Sequence, residues 1–226
     1  MTADSASINL THHFLIAMPG LEDEAFAKSV VYVCEHSERG ALGLVINKPS
    51  DLSMEGLFDK VDLPLHRPDL MTAPVLQGGP VHTERGFVLH DAMLVDVPEK
   101  PSASGEASQE DVIEAAQEAA ALSAVSSKES VYASTMTIPG GLEMTTSKDV
   151  LEALSMGAGP TRVLISLGYS AWGEGQLESE LAENSWLTVG ADTAVIFDTP
   201  VDQRYERAMK LLGLESWMLS SEVGHS

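Results

Sequence analysis

The segment Phe14 to Pro49, FLIAMPGLEDEAFAKSVVYVCEHSERGALGLVINKP, constrains the fold more than any other part of the chain, because it sets three apolar runs between punctuating turns. Phe14 to Met18 closes on Pro19-Gly20, where proline fixes φ and glycine admits positive φ, so a strand and a turn are expected. Glu22 to Ala27 reads as a short helical turn. Ser29 to Glu35 is rich in valine and tyrosine, side chains that suit a pleated surface. His36 to Gly40 then connects into Ala41 to Asn47, and these two strands are expected to pair antiparallel.

The rest of the chain alternates helix and strand signals without a regular βαβ repeat. Ser53 can cap a helix running to about Val61. Pro74 to Gln77 and Gly86 to Leu89 read as strands around the bend Gly78-Gly79-Pro80. Val131 to Ile138, then Gly140-Gly141 and Leu142 to Thr145, read as a hairpin. Ser147 opens a helix that stops at Gly157, with Val150, Leu151 and Leu154 on its apolar stripe. Arg162 to Leu167 is a strand of the doubly buried type, and Gly173 to Glu183 contains a further helix. Trp186 to Val189 and Ala194 to Phe197 read as short strands, and Val201 to Leu212 as the last helix. This mixture favours an α+β fold over a doubly wound sheet.

A flexible tail is expected over residues 1–13, and one domain over 14–226. Within that domain an Ala/Ser/Glu-rich insertion spans about 99–130, where a weak helix over 110–122 and partial disorder are expected. No apolar run approaches the roughly 20 residues that cross a bilayer, and the N-terminus lacks the features of an export signal. A cytoplasmic location follows, and the single cysteine among 226 residues fits a reducing compartment.

Against 34 acidic residues stand 13 Lys and Arg, a formal charge of −21. Such a field repels phosphate backbones and anionic membrane surfaces. Direct nucleic-acid binding is therefore disfavoured, and basic proteins and soluble ligands remain as partners.

The chain resembles the bacterial AlgH/YqgE family. The resemblance is carried by FLIAMPGL at 14 to 21, SVVYVCEH at 29 to 36, GALGLVINKP at 40 to 49, QGGPV at 77 to 81 and RGFVLHD at 85 to 91. It continues through MTTSKDVLEAL at 144 to 154, LGYSAWGEGQLESEL at 167 to 181 and ENSWLTVGAD at 183 to 192. It implies a single α+β domain whose bifurcated mixed β-sheet closes in part into a small barrel, surrounded by helices. It also implies a cytosolic protein without an established enzymatic activity and with a regulatory role.

Six residues are candidates for a binding or reactive site: Cys34, His36, Gly78, Gly79, Arg85 and His90. In an extended segment Cys34 and His36 project from one face, where an imidazole favours the nucleophilic thiolate. The bland reading makes Cys34 a buried hydrophobe and His36 the solvated end of the strand. Gly78 and Gly79 bend the chain near His82 and Arg85, which offers backbone N–H groups to a small anion, although tight turns are the default. His90, at a strand end near Arg85, can line a pocket with His36. Gly168 to Gly173 lacks the Gly-x-Ser-x-Gly spacing of a nucleophile elbow and reads as a strand-to-helix turn. No HExxH motif or close histidine and acid spacing occurs, so neither a metal nor a cofactor is expected. The leading reading is a non-enzymatic regulatory protein that binds a small ligand or another protein. Thiol chemistry at Cys34 with His36 is the alternative, and direct DNA binding a weaker one.

Overall fold

The computed structural model describes residues 9–97 and 127–214. The expected tail up to residue 8, and the expected insertion from 99 to 126 with its weak helix, lie outside the described residues.

The strands among the described residues are β1 His13–Ala17, β2 Val30–Ser37, β3 Gly40–Val45, β4 Pro49–Ser53, β5 Pro74–Gln77 and β6 Val81–Asp91. They continue with β7 Leu94–Val97, β8 Ser127–Ser130, β9 Thr135–Ile138, β10 Leu142–Thr145, β11 Val163–Trp172 and β12 Trp186–Gly190. The helices are α1 Met54–Lys60, α2 Pro68–Met71, α3 Lys148–Ser155, α4 Gln176–Ala182, α5 Thr193–Phe197 and α6 Arg204–Leu211, with a 3₁₀ turn at Val201–Gln203. β7 and β8 form an antiparallel pair that belongs to a separate compact unit, Met93–Val131.

The other ten strands form one mixed sheet, in the order β12-β1-β2-β3-β11-β6-β10-β9, with β5 joined to β11 and β4. The sheet curls into a half-barrel, an α+β architecture. β11 is its fork. Ser166 and Leu167 pair parallel with β5, whereas Ser170 to Trp172 pair antiparallel with β3. β6 runs beside Val163 to Tyr169.

Burial on both faces explains why β2 begins as an unbroken apolar run. Phe14, Ile16, Tyr32, Cys34 and Leu44 pack in one cluster with Val195 and Ile196 of α5 and Ala208 and Met209 of α6. Leu15, Val31, Val33 and Val45 pack in a second cluster with Trp172, Trp186 and Leu177 of α4. Arg204, buried at the start of α6, donates from Nε to the Thr199 carbonyl at 3.0 Å and from Nη1 to the carbonyl of Ile46. It thereby ties α6 to the chain leaving β3.

Several expectations are corrected. Ala194 to Phe197 lies in helix α5, because the Asp192 carboxylate accepts from the Ala194 N–H at 2.9 Å and caps it. β11 continues through Gly168 to Trp172, so that stretch is strand and the turn comes later. Of Val131 to Ile138 only Thr135 onward joins the sheet, β6 begins at Val81, and β4 had no sequence signal. Residues 9–13 belong to the fold: Leu10 is buried and His13 opens β1. Among the described residues no helix is long and apolar enough to cross a membrane.

Candidate functional site

β6 and β11 build the most distinctive local geometry. Leu167 pairs with Gly86 and Tyr169 with Val81, so the single residue Gly168 stands opposite the four residues His82 to Arg85. Those four are exposed and form an excursion within β6, a wide bulge in its ladder with β11. His82 holds a φ of +48°, an uncommon conformation for a side chain with a Cβ, and its ring stacks on Tyr169 with centroids 5.9 Å apart. Its Nδ1 lies 3.3 Å from the Glu84 carboxylate.

Beneath this excursion lies a cleft of about 520 Å³, within the size range of small-molecule sites. Gly86 and Val88 of β6, Thr145 of β10, and Ile165 and Leu167 of β11 form its sheet side. Leu52, Leu57, Lys60 and Val61 come from β4, α1 and the end of that helix, and Lys148 and Leu151 from α3. Thr83, Glu84, Thr146 and Ser147 complete the lining. A neighbouring cleft of about 330 Å³ shares Thr83 and Leu167, and adds Gly79, Pro80, Gln77 and Lys48.

Three of the six sequence candidates meet this region. Gly79 lines the smaller cleft. Arg85 donates from Nη2 to the Thr146 hydroxyl at 3.2 Å, on the rim of the larger one. His90 lies fully buried under it. His90 Nδ1 donates to the Asp91 carbonyl at 2.8 Å, and Nε2 shares a hydrogen bond with the Thr145 hydroxyl at 2.9 Å. The Thr135 hydroxyl lies 2.6 Å from that of Thr145 and donates to the Ala133 carbonyl at 3.2 Å. Glu143, directly opposite His90 in the ladder and also fully buried, has a carboxylate oxygen 4.0 Å from Nδ1. His90 therefore fixes the orientation of Thr145, which faces the cleft.

Gly78 works at the fork. Its N–H donates to the Leu167 carbonyl, and its own carbonyl accepts from Val45 N–H and from the Ser170 hydroxyl. A Cβ at Gly78 would lie 2.2 Å from the Gly168 carbonyl oxygen, and one at Gly79 would lie 2.3 Å from the Tyr169 carbonyl carbon. These glycines let two backbones touch, which is a packing requirement.

Cys34 and His36 lie elsewhere, and the structure separates them. A bulge between Val33 and Glu35 makes Cys34 the extra residue and reverses the alternation that follows. Cys34 stays in the cluster with Tyr32, and burial pushes its thiol well above the ordinary range. His36 pairs with Ala41, a member of the opposite cluster. Its Nδ1 accepts from Leu10 N–H at 3.0 Å, and Nε2 donates to Glu178 at 2.9 Å. The expected shared face fails because alternation cannot be counted across a bulge. His36 lines a different hollow, with Asn9, Glu38 and Glu174, so the pocket expected to join it with His90 does not form.

Trp172 ends β11 and Trp186 opens β12, both packed in the second apolar cluster. Glu180 accepts from the indole N–H of Trp172 at 2.9 Å and of Trp186 at 2.8 Å. Among the described residues no group of three His, Cys, Asp or Glu is placed to hold a metal ion. Sequence reasoning missed Lys60, Lys148 and the Thr145-Thr146-Ser147 edge. The segment MTTSKDVLEAL showed a helix start, but not that α1 faces it.

Fold and cleft together define an α+β protein whose forked sheet carries a ligand-sized hollow between two helices. The sequence model described as AlgH-like matches residues 14–217, and the chain belongs to that family. A UPF0301 protein of Paracidovorax citrulli (strain AAC00-1) is 72% identical over 226 residues, the whole of both chains. One from Polaromonas sp. (strain JS666) is 67% identical over the same span. The solution structure of the AlgH protein from Pseudomonas aeruginosa matches with a TM-score of 0.64 and 40% identity over 98% of each chain. A crystal structure of a Corynebacterium diphtheriae protein shares the fold at 17% identity, with a TM-score of 0.61 over 94% of this chain and 92% of that one.

Proposed function

We propose that this protein acts by recognition, as a non-enzymatic cytoplasmic regulator that takes up a small ligand in the cleft between α1, α3 and the forked sheet. One observation carries the reading: a hollow of about 520 Å³ with an apolar sheet side and a polar edge lined by Thr83, Thr145, Thr146 and Ser147. Apolar area supplies affinity in such sites, and a few placed polar groups supply orientation. The strained His82 excursion over the cleft adds support, because backbone strain concentrates at ligand sites. Thiol chemistry has less behind it, since Cys34 is sealed in the core and His36 belongs to the other face.

The test is a thermal-shift screen of metabolites on the wild type and on Leu151→Trp, which narrows the cleft from α3. Hits that stabilise the wild type and not the variant are expected. Either a screen without hits, or hits that stabilise both proteins equally, would overturn the reading.

A further inference from the structure

The electrostatics of this cleft run against those of the chain. The whole protein carries −21. The lining holds Lys60, Lys148 and Glu84, which sum to 2 − 1 = +1. Glu84 is turned toward His82 Nδ1, 3.3 Å away. Among the described residues the arginine ion pairs join Arg67 with Asp69 and Arg162 with Asp91 and Asp198, while neither Lys60 nor Lys148 pairs with a carboxylate. Every described lysine lacks a carboxylate partner, so what marks this hollow is its lining of two lysines and one glutamate, in a chain where acids outnumber bases 34 to 13.

Lys148 is placed against a local rule. It occupies the first position of α3, where the helix macrodipole disfavours a cation. Departures from a local rule are expected at functional or strained sites. Nor is the end of α3 free to bind an anion through its own amides, because the Asp149 carboxylate already accepts from the Val150 N–H at 2.8 Å. Positive charge for a ligand therefore comes from the two lysines. The tail of that ligand meets the apolar side formed by Leu57, Val88, Leu151 and Ile165.

We infer that the cleft takes an aliphatic monocarboxylate of medium chain length, its head between Lys60 and Lys148 and its tail along the sheet. This rests on the recognition reading above and narrows it to one ligand class. A head of fixed negative charge gains from both lysines, a neutral head loses that attraction, and a cationic head is repelled.

Isothermal titration with octanoate, octanol and octylamine at one ionic strength tests the inference, on the wild type, Lys60→Glu, Lys148→Glu and Leu151→Trp. Octanoate is expected to bind the wild type about tenfold or more tighter than octanol, with octylamine weakest. Each Lys→Glu change should weaken octanoate about tenfold and leave octanol unchanged, and Leu151→Trp should abolish both. Equal binding of octanoate and octanol, or octanoate binding indifferent to both lysine changes, overturns the carboxylate assignment. If Leu151→Trp still blocks the probes in that case, the recognition reading stands without it. If no probe binds, the carboxylate assignment falls, and the metabolite screen decides the recognition reading separately.

Discussion

At the scale of single residues, the glycines at the fork separate what looked alike in the sequence. Gly78, Gly79 and Gly86 all flank expected strands, and only contact geometry distinguishes them. An added Cβ would stand 2.2 Å and 2.3 Å from backbone atoms at Gly78 and Gly79, whereas at Gly86 nothing lies within 4 Å. Backbone cannot swing aside as a flexible side chain can. Gly78→Ala and Gly79→Ala are therefore expected to lose roughly 3 kcal/mol or more of stability, and Gly86→Ala within about 1 kcal/mol of the wild type, by urea denaturation. Equal costs at the three positions would refute the close-approach account. Cys34 teaches the converse lesson: its burial was legible from the valines around it, whereas its separation from His36 depended on one inserted residue that no periodicity reveals.

At the scale of elements, signals that act locally were readable and signals that depend on a partner were not. Ser53 caps α1 as its position suggested, with the hydroxyl accepting from Gly56 N–H at 3.1 Å. β2 and β3 pair as expected because valine-rich runs and a tight connection specify a hairpin within a few residues. Ala194 to Phe197 was misread because a short apolar run fits strand or helix equally, and the Asp192 cap decided it. Of the site, the Gly79, Arg85 and His90 region was within reach, but the lysines required two helices distant in sequence to converge. Helix α3 yields a test of its own. Partial burial pushes the Asp149 carboxyl up, but bonds from the Ser147 hydroxyl and the N–H groups of Ala133 and Val150 outweigh it and leave the pKa below the ordinary value. A depressed carboxylate stabilises the fold above its unfolded value, about 3.9, and that contribution disappears as pH falls through the folded value. Asp149→Asn should thus cost about 1 kcal/mol at neutral pH, and its gap from the wild type should narrow progressively as pH falls below the unfolded value of about 3.9. A gap that stays constant with pH would mean that the charge of Asp149 contributes nothing.

At the scale of the whole molecule, charge decides between partners that the fold alone leaves open. The 13 basic residues are few against 34 acids, and several of those described are already engaged. Arg67 and Arg162 hold aspartates, Lys48 donates to the carbonyls of Glu24 and Ala25, and Arg204 is buried against backbone. Lys60 and Lys148 line a hollow too small for a duplex. Affinity for DNA grows with the number of phosphates neutralised and is greatest at low salt, because each contact releases condensed counterions. A protein at −21 should accordingly fail to retard duplex DNA in a gel even at about 20 mM salt, while octanoate still binds under the same conditions. If a retarded band forms at low salt and fades as salt rises, the molecule presents a cationic face to nucleic acid, and the ranking of small-ligand recognition over direct DNA binding is reversed.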